Sequence, residues 1–224
     1  MPLFKGSHLK NILTACFIQF SVCLTSNGFH TFFPEIMNKI SLWTENQNEP
    51  ATVCEIFVKV SLVSNDTVTV TQCVENLHLD TFVYTFLSVA GYLVCYAILS
   101  LVINRTGKLM LILMVNFSTG FSALLLMFLK MPTVSPYLYI HMLFAGLGIS
   151  IVNSSTVELF PTRMRAMAVC ISMMTGRLGS VSGSMVIGTV INKYCTQTFL
   201  MPVVLLFSSG FLAFSIPNIS KRIK

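Results

Sequence analysis

The chain has 224 residues, of which 54% are apolar and only 10% charged, and its formal net charge is +6. A soluble domain carries about 25% charged residues, so an ordinary water-soluble enzyme or binding domain is excluded; a mean hydropathy of +0.77 belongs to a membrane protein. The basic residues are scattered rather than gathered in a patch, which argues against nucleic acid as a partner and makes them signals of membrane topology.

Roughly 20 apolar residues in a helix cross a hydrocarbon core about 30 Å thick. The first such run covers about residues 11–37, with Gln19 and Asn27 as polar interruptions. Its approach, "MPLFKGSHLK" and then "NILTACFIQFSVCL", also has the basic start and apolar stretch of a secretory signal. The apolar character runs on through "GFHTFFPEI", too far for a signal, and no clear small-residue cleavage site follows.

Residues 41–80 form a long polar loop. Within it "CEIFVKVSLVSNDTVTVTQC" alternates around the turn residues Ser64, Asn65 and Asp66, which predicts two short β-strands. Cys54 and Cys73 bracket this pattern. Two readings stand: a disulfide closing the hairpin in an oxidising compartment, or two free thiols. Asn65-Asp66-Thr67 is an N-glycosylation sequon in the loop. The matches at Asn104, Asn116, Asn153 and Asn218 fall in spans, in the cytosol or at boundaries, and are expected to be silent.

Five more runs follow, at about residues 82–103, 109–129, 137–157, 166–191 and 198–216. Pro132, Pro136, Pro161, Pro202 and Pro217 mark span ends, where helices tolerate proline. Asn116, His141 and Asn153 are polar residues inside spans and read first as interhelical hydrogen-bond formers. Cys16, Cys23, Cys95 and Cys170 read as small core residues.

If the six spans alternate, Lys5, Lys10, Arg105, Lys108, Arg163, Arg165, Lys221, Arg222 and Lys224 share one side. Lys39, Lys59, Lys130 and Lys193 take the other. Glu45, Glu49, Glu55, Asp66, Glu75 and Asp80 lie in the long loop, and only Glu158 is on the basic side. The positive-inside rule then places both termini in the cytosol and the loop outside or in a lumen.

Arg177 stands inside the fifth span, 12 residues beyond Arg165 and so about 18 Å deeper. That is near the membrane midplane, where a cation costs at least about 2.5–3.5 kcal/mol to insert. It needs an anion, a counter-carboxylate, or hydrogen bonds to neighbouring carbonyls, and no acid of this chain sits at its depth. Gly176, Gly179 and Gly183 recur beside it at helical spacing and let helices approach closely, either as a gating contact or as a dimer seam.

The turn "NRTGK" at 104–108 and the turn "ELFPTRMR" at 158–165 lie two spans apart. Together they resemble the second half of a major facilitator superfamily transporter. The Glu-x-Phe-Pro-Thr element resembles the branch containing organic ion transporters and synaptic vesicle glycoprotein 2. "RAMAVCISMMTGRLGS", "CFIQF" and "FFPEIMNKI" are most similar to the synaptic vesicle glycoprotein 2 group and its insect relatives. The resemblance covers nearly the whole chain. It implies an all-α membrane protein: a six-helix bundle over residues 1–224, half of a twelve-helix fold, with a small β-like external loop. It also implies that Arg105, Gly107, Lys108, Glu158, Pro161, Thr162, Arg163 and Arg165 form a cytoplasmic gating motif. Glu158 would pair with an arginine across helix ends in one state of a rocking cycle. Asn104 stands where the family often has Asp, so one charge of that network is missing. The alternative is that these charges only mark topology. Substrate sites of such carriers lie near the midplane between two halves, and Arg177, Asn116 and Gln19 are the candidates here.

The expected function is a secondary carrier of a small organic solute working by alternating access. Its partners would be the bilayer, an N-terminal six-helix half and the solute, with no cofactor and no metal. Six spans mean a piece of a longer chain, a truncated isoform, or a half that pairs with another. The rival expectation is a transporter-like glycoprotein of a vesicle or the plasma membrane, acting in trafficking or as a receptor through its loop. An enzyme is not expected, because no clustered nucleophile and base, metal-ligand spacing or phosphate loop occurs.

Overall fold

The computed structural model describes residues 7–46, 50–57, 59, 79–191 and 194–214. The main elements are α1 (Ser7–Thr31), α2 (Phe33–Asn46), α3 (Leu79–Thr106), α4 (Lys108–Phe128), α5 (Ser135–Leu143), α6 (Leu147–Leu159), α7 (Thr162–Val190) and α8 (Cys195–Phe214). A 3-10 turn, Phe144–Gly146, joins α5 to α6. No strand occurs among the described residues.

Local chemistry sets the breaks. The helix that starts at Ser7 ends at Thr31 and restarts at Phe33, so that Pro34 falls in a first turn, where a missing N–H loses no bond. Gly107, between α3 and α4, has a φ of 82°. Glycine adopts that left-handed conformation without steric cost, so two long helices join through a single residue. Pro136 lies in the first turn of α5, and Pro161 stands just ahead of α7. Pro202, expected at a span end, instead lies inside α8, because that helix already begins at Cys195.

Five helical stretches are long and apolar enough to cross a membrane: Leu9–Thr31, Thr81–Ile103, Lys108–Phe128, Ser135–Leu159 and Cys195–Phe214. They are compatible with a multi-pass integral membrane protein. They overlap five of the six expected spans, and the first stops at the α1–α2 break rather than at residue 37. The other expected span corresponds to α7, which has 29 residues, about 43 Å of helix. Glycine, serine, threonine and Arg177 dilute its apolar character, and it is not among the five.

The core sits around α1. Of its most apolar window, 67% is buried, against 11% for the peripheral α3. Gly176, Gly179 and Gly183 of α7 meet Gln19, Phe20 and Leu24 of α1 in that order, so the two helices run parallel. Contacts of α1 with α5 and α6 run the other way: Val22 with Gly148, Ser26 with Leu143, Phe29 with Tyr139. The start of α1 and the ends flanking the α6–α7 connection share one cluster around Ile12, Phe160 and Ala168. Lys108, at the start of α4, reaches Glu158 near the end of α6. These contacts define one end of the bundle. At the opposite end, α2 and the helical turn at residues 53–57 pack over Phe29, Tyr139, Ile191 and Phe199.

That cap corrects the expected β-like loop over residues 54–57. The Thr52 N–H donates to Glu55 Oε2 at 2.8 Å, and the Glu55 N–H donates to Thr52 Oγ1 at 3.3 Å. This reciprocal capping box starts a helical turn where apolar alternation predicted a strand. Nearly all the rest of the expected hairpin, including Asn65 and Cys73, lies outside the described residues.

Candidate functional site

The Lys108 end carries the motif residues. Gly107 turns the chain so that Lys108 opens α4 beside α6. Lys108 Nζ donates to Glu158 Oε1 at 2.8 Å, Ser154 Oγ at 2.7 Å and the Ser154 carbonyl at 3.2 Å. All three ammonium donors are thereby used. Glu158 therefore pairs with Lys108 rather than with an arginine, because the left-handed turn delivers the lysine to the end of α6. Arg105 and Arg163 are exposed, and Arg165 is half-buried with no hydrogen bond from its Nε–H among the described residues. Pro161 precedes α7 and Thr162 opens it. The Lys108 side chain is 17% exposed and that of Glu158 56%, so solvent screens the pair in part.

Gln19 and Arg177 border the same part of the α1–α7 seam, whereas Asn116 lies between α4 and α8. Gln19 is buried in the α1–α7 seam against Gly176, with no hydrogen bond to its Oε1. Asn116 is fully buried between α4 and α8, where its Nδ2 donates to Ser209 Oγ at 3.1 Å. Its Oδ1 faces Gly148 of α6 and has no hydrogen-bond partner. Arg177, the residue after Gly176, is exposed beside the α1–α7 seam. No hydrogen bond or ion pair reaches it among the described residues.

The glycine stripe is used inside the chain. A Cβ on Gly179 would stand 2.6 Å from the Phe20 carbonyl oxygen, and one on Gly183 would stand 2.8 Å from that of Leu24. The stripe is therefore the α1–α7 packing surface and not a seam between chains. Asn27 adds a polar tie, donating to Ser180 Oγ at 2.9 Å.

Two features were missed in the sequence. The first is the 3-10 turn inside the Ser135–Leu159 span. The Leu143 carbonyl there accepts from Ser26 Oγ of α1 at 3.1 Å and from the Tyr92 hydroxyl of α3. A helix broken within a membrane must satisfy its freed backbone groups from neighbours, and these hydroxyls do so. The paired glycines Gly146 and Gly148 were the available signal.

The second feature is a disulfide between Cys54 and Cys195, which ties the cap to the start of α8. A sulfur forms one such bond, so the expected Cys54–Cys73 bridge is replaced. The capping box at Thr52 and the packing of Val53 and Phe57 hold Cys54 against Cys195. Thr52-x-x-Glu55 was the readable signal for the turn; the partner was not readable. Lys39 Nζ stands 4.1 Å from the centre of the Phe57 ring and pairs with Glu35 at 2.7 Å. The hydrogen bond from the Thr52 backbone, then the charges of Lys130 and Lys59, hold the Glu55 carboxyl below its usual range.

A cavity near the Lys108 end is lined by Asn11, Ile18, Ile112, Val152, Thr156 and Phe160 among others. It leaves about 20 Å³ for a water-sized sphere, room for about one water and none for an organic solute. Among the described residues, no three His, Cys, Asp or Glu side chains come together as metal ligands. No protein-family model, curated protein or solved structure matches the chain.

Proposed function

We propose that the chain is one six-helix bundle of a secondary carrier of the major facilitator kind, with α7 as its sixth span, moving a small organic solute by alternating access. The observation that carries this reading is Arg177, exposed at the centre of α7. Beside the Asn27–Ser180 pair, it is too costly to leave in lipid, which favours a second bundle against this side. The cavity near the Lys108 end has room for about one water and not for a solute. Lys108, Glu158 and Ser154 would then latch helix ends on the cytosolic side, with Arg105, Arg163 and Arg165 beside them. Two separate features favour that orientation: the basic residues gather at the Lys108 end, and the disulfide at the cap requires an oxidising compartment.

The test is uptake of labelled organic anions, cations and zwitterions into proteoliposomes holding the chain together with its second bundle. Saturable uptake that falls in Lys108→Ala supports the carrier. Uptake no greater than in protein-free vesicles, with the second bundle present and the disulfide intact, overturns it. The ordered, disulfide-tied cap favours one rival, a vesicle or surface glycoprotein acting through its external loop. Loss of a trafficking phenotype on disrupting the cap, in protein that transports nothing, would select that rival.

A further inference from the structure

We draw no further inference here: the strongest candidate, the cation cluster of Arg163 and Arg165 at the start of α7, is a helix N-terminus with surface charge, and no second feature among the described residues points to what it would hold.

Discussion

Gly179 of α7 lies directly against the backbone of Phe20 in α1: a Cβ built on it stands 2.6 Å from the Phe20 carbonyl oxygen. Real atoms do not approach so closely, and a backbone carbonyl in a helix cannot swing aside. Gly179→Ala should therefore push the two helices apart and cost about 1–3 kcal/mol, the usual range for overpacking. At Gly188 the nearest obstacle is the tip of the Phe32 ring at 2.9 Å, which can rotate. Alanine also gains up to about 1 kcal/mol of helix propensity over glycine, so Gly188→Ala should be close to neutral. Thermal unfolding in detergent compares the two, and equal melting temperatures would refute the seam.

The Cys54–Cys195 bridge spans 141 residues of sequence. Unreduced peptide mapping should recover that pair and not Cys54 with Cys73. Cys195→Ser should destabilise the protein by about 2–4 kcal/mol, typical of a native disulfide, whereas Cys73→Ser should leave the melting temperature unchanged. A peptide linking Cys54 to Cys73 would reverse the assignment.

The cap should loosen in acid. Glu55 accepts from the Thr52 N–H, and its carboxyl titrates below the usual glutamate range. A group with a depressed folded pKa contributes stability that is present above its unfolded pKa and lost as pH falls through the folded one. Hydrogen exchange of residues 53–57 should accordingly speed up as pH drops below about 4.3, the ordinary glutamate value, once corrected for the intrinsic pH dependence of exchange. Glu55→Gln should flatten this response. An identical pH response in the variant would assign the sensitivity to another group.

Asn65 lies outside the described residues, so its glycan rests on the sequon and the predicted topology alone. Glycosidase treatment should increase gel mobility, and Asn65→Gln should remove the shift. A shift that survives the substitution would place the glycan elsewhere or invert the topology.

The broad solvent and the run of helices were legible in the sequence, because both follow from composition along the chain. Crossing a membrane demands about 20 apolar residues in a row, and five of the six expected runs meet that standard in the structure. The motif turns were legible for a similar reason: Gly107 and Pro161 act on the backbone within a residue or two of themselves. What stayed hidden depends on residues far apart in sequence. Whether Gly176, Gly179 and Gly183 face a neighbour in the same chain or another protein depends on where α1 lies. The partner of Cys54 depends on the cap folding back to residue 195. The strand misread at residues 54–57 shows a local limit as well, since a short apolar run fits either period until a capping box and a packed neighbour decide it. Arg177 divides between the two levels. Its depth could be counted along the chain, but its exposure beside the α1–α7 seam appeared only once α1 had taken the glycine face of α7.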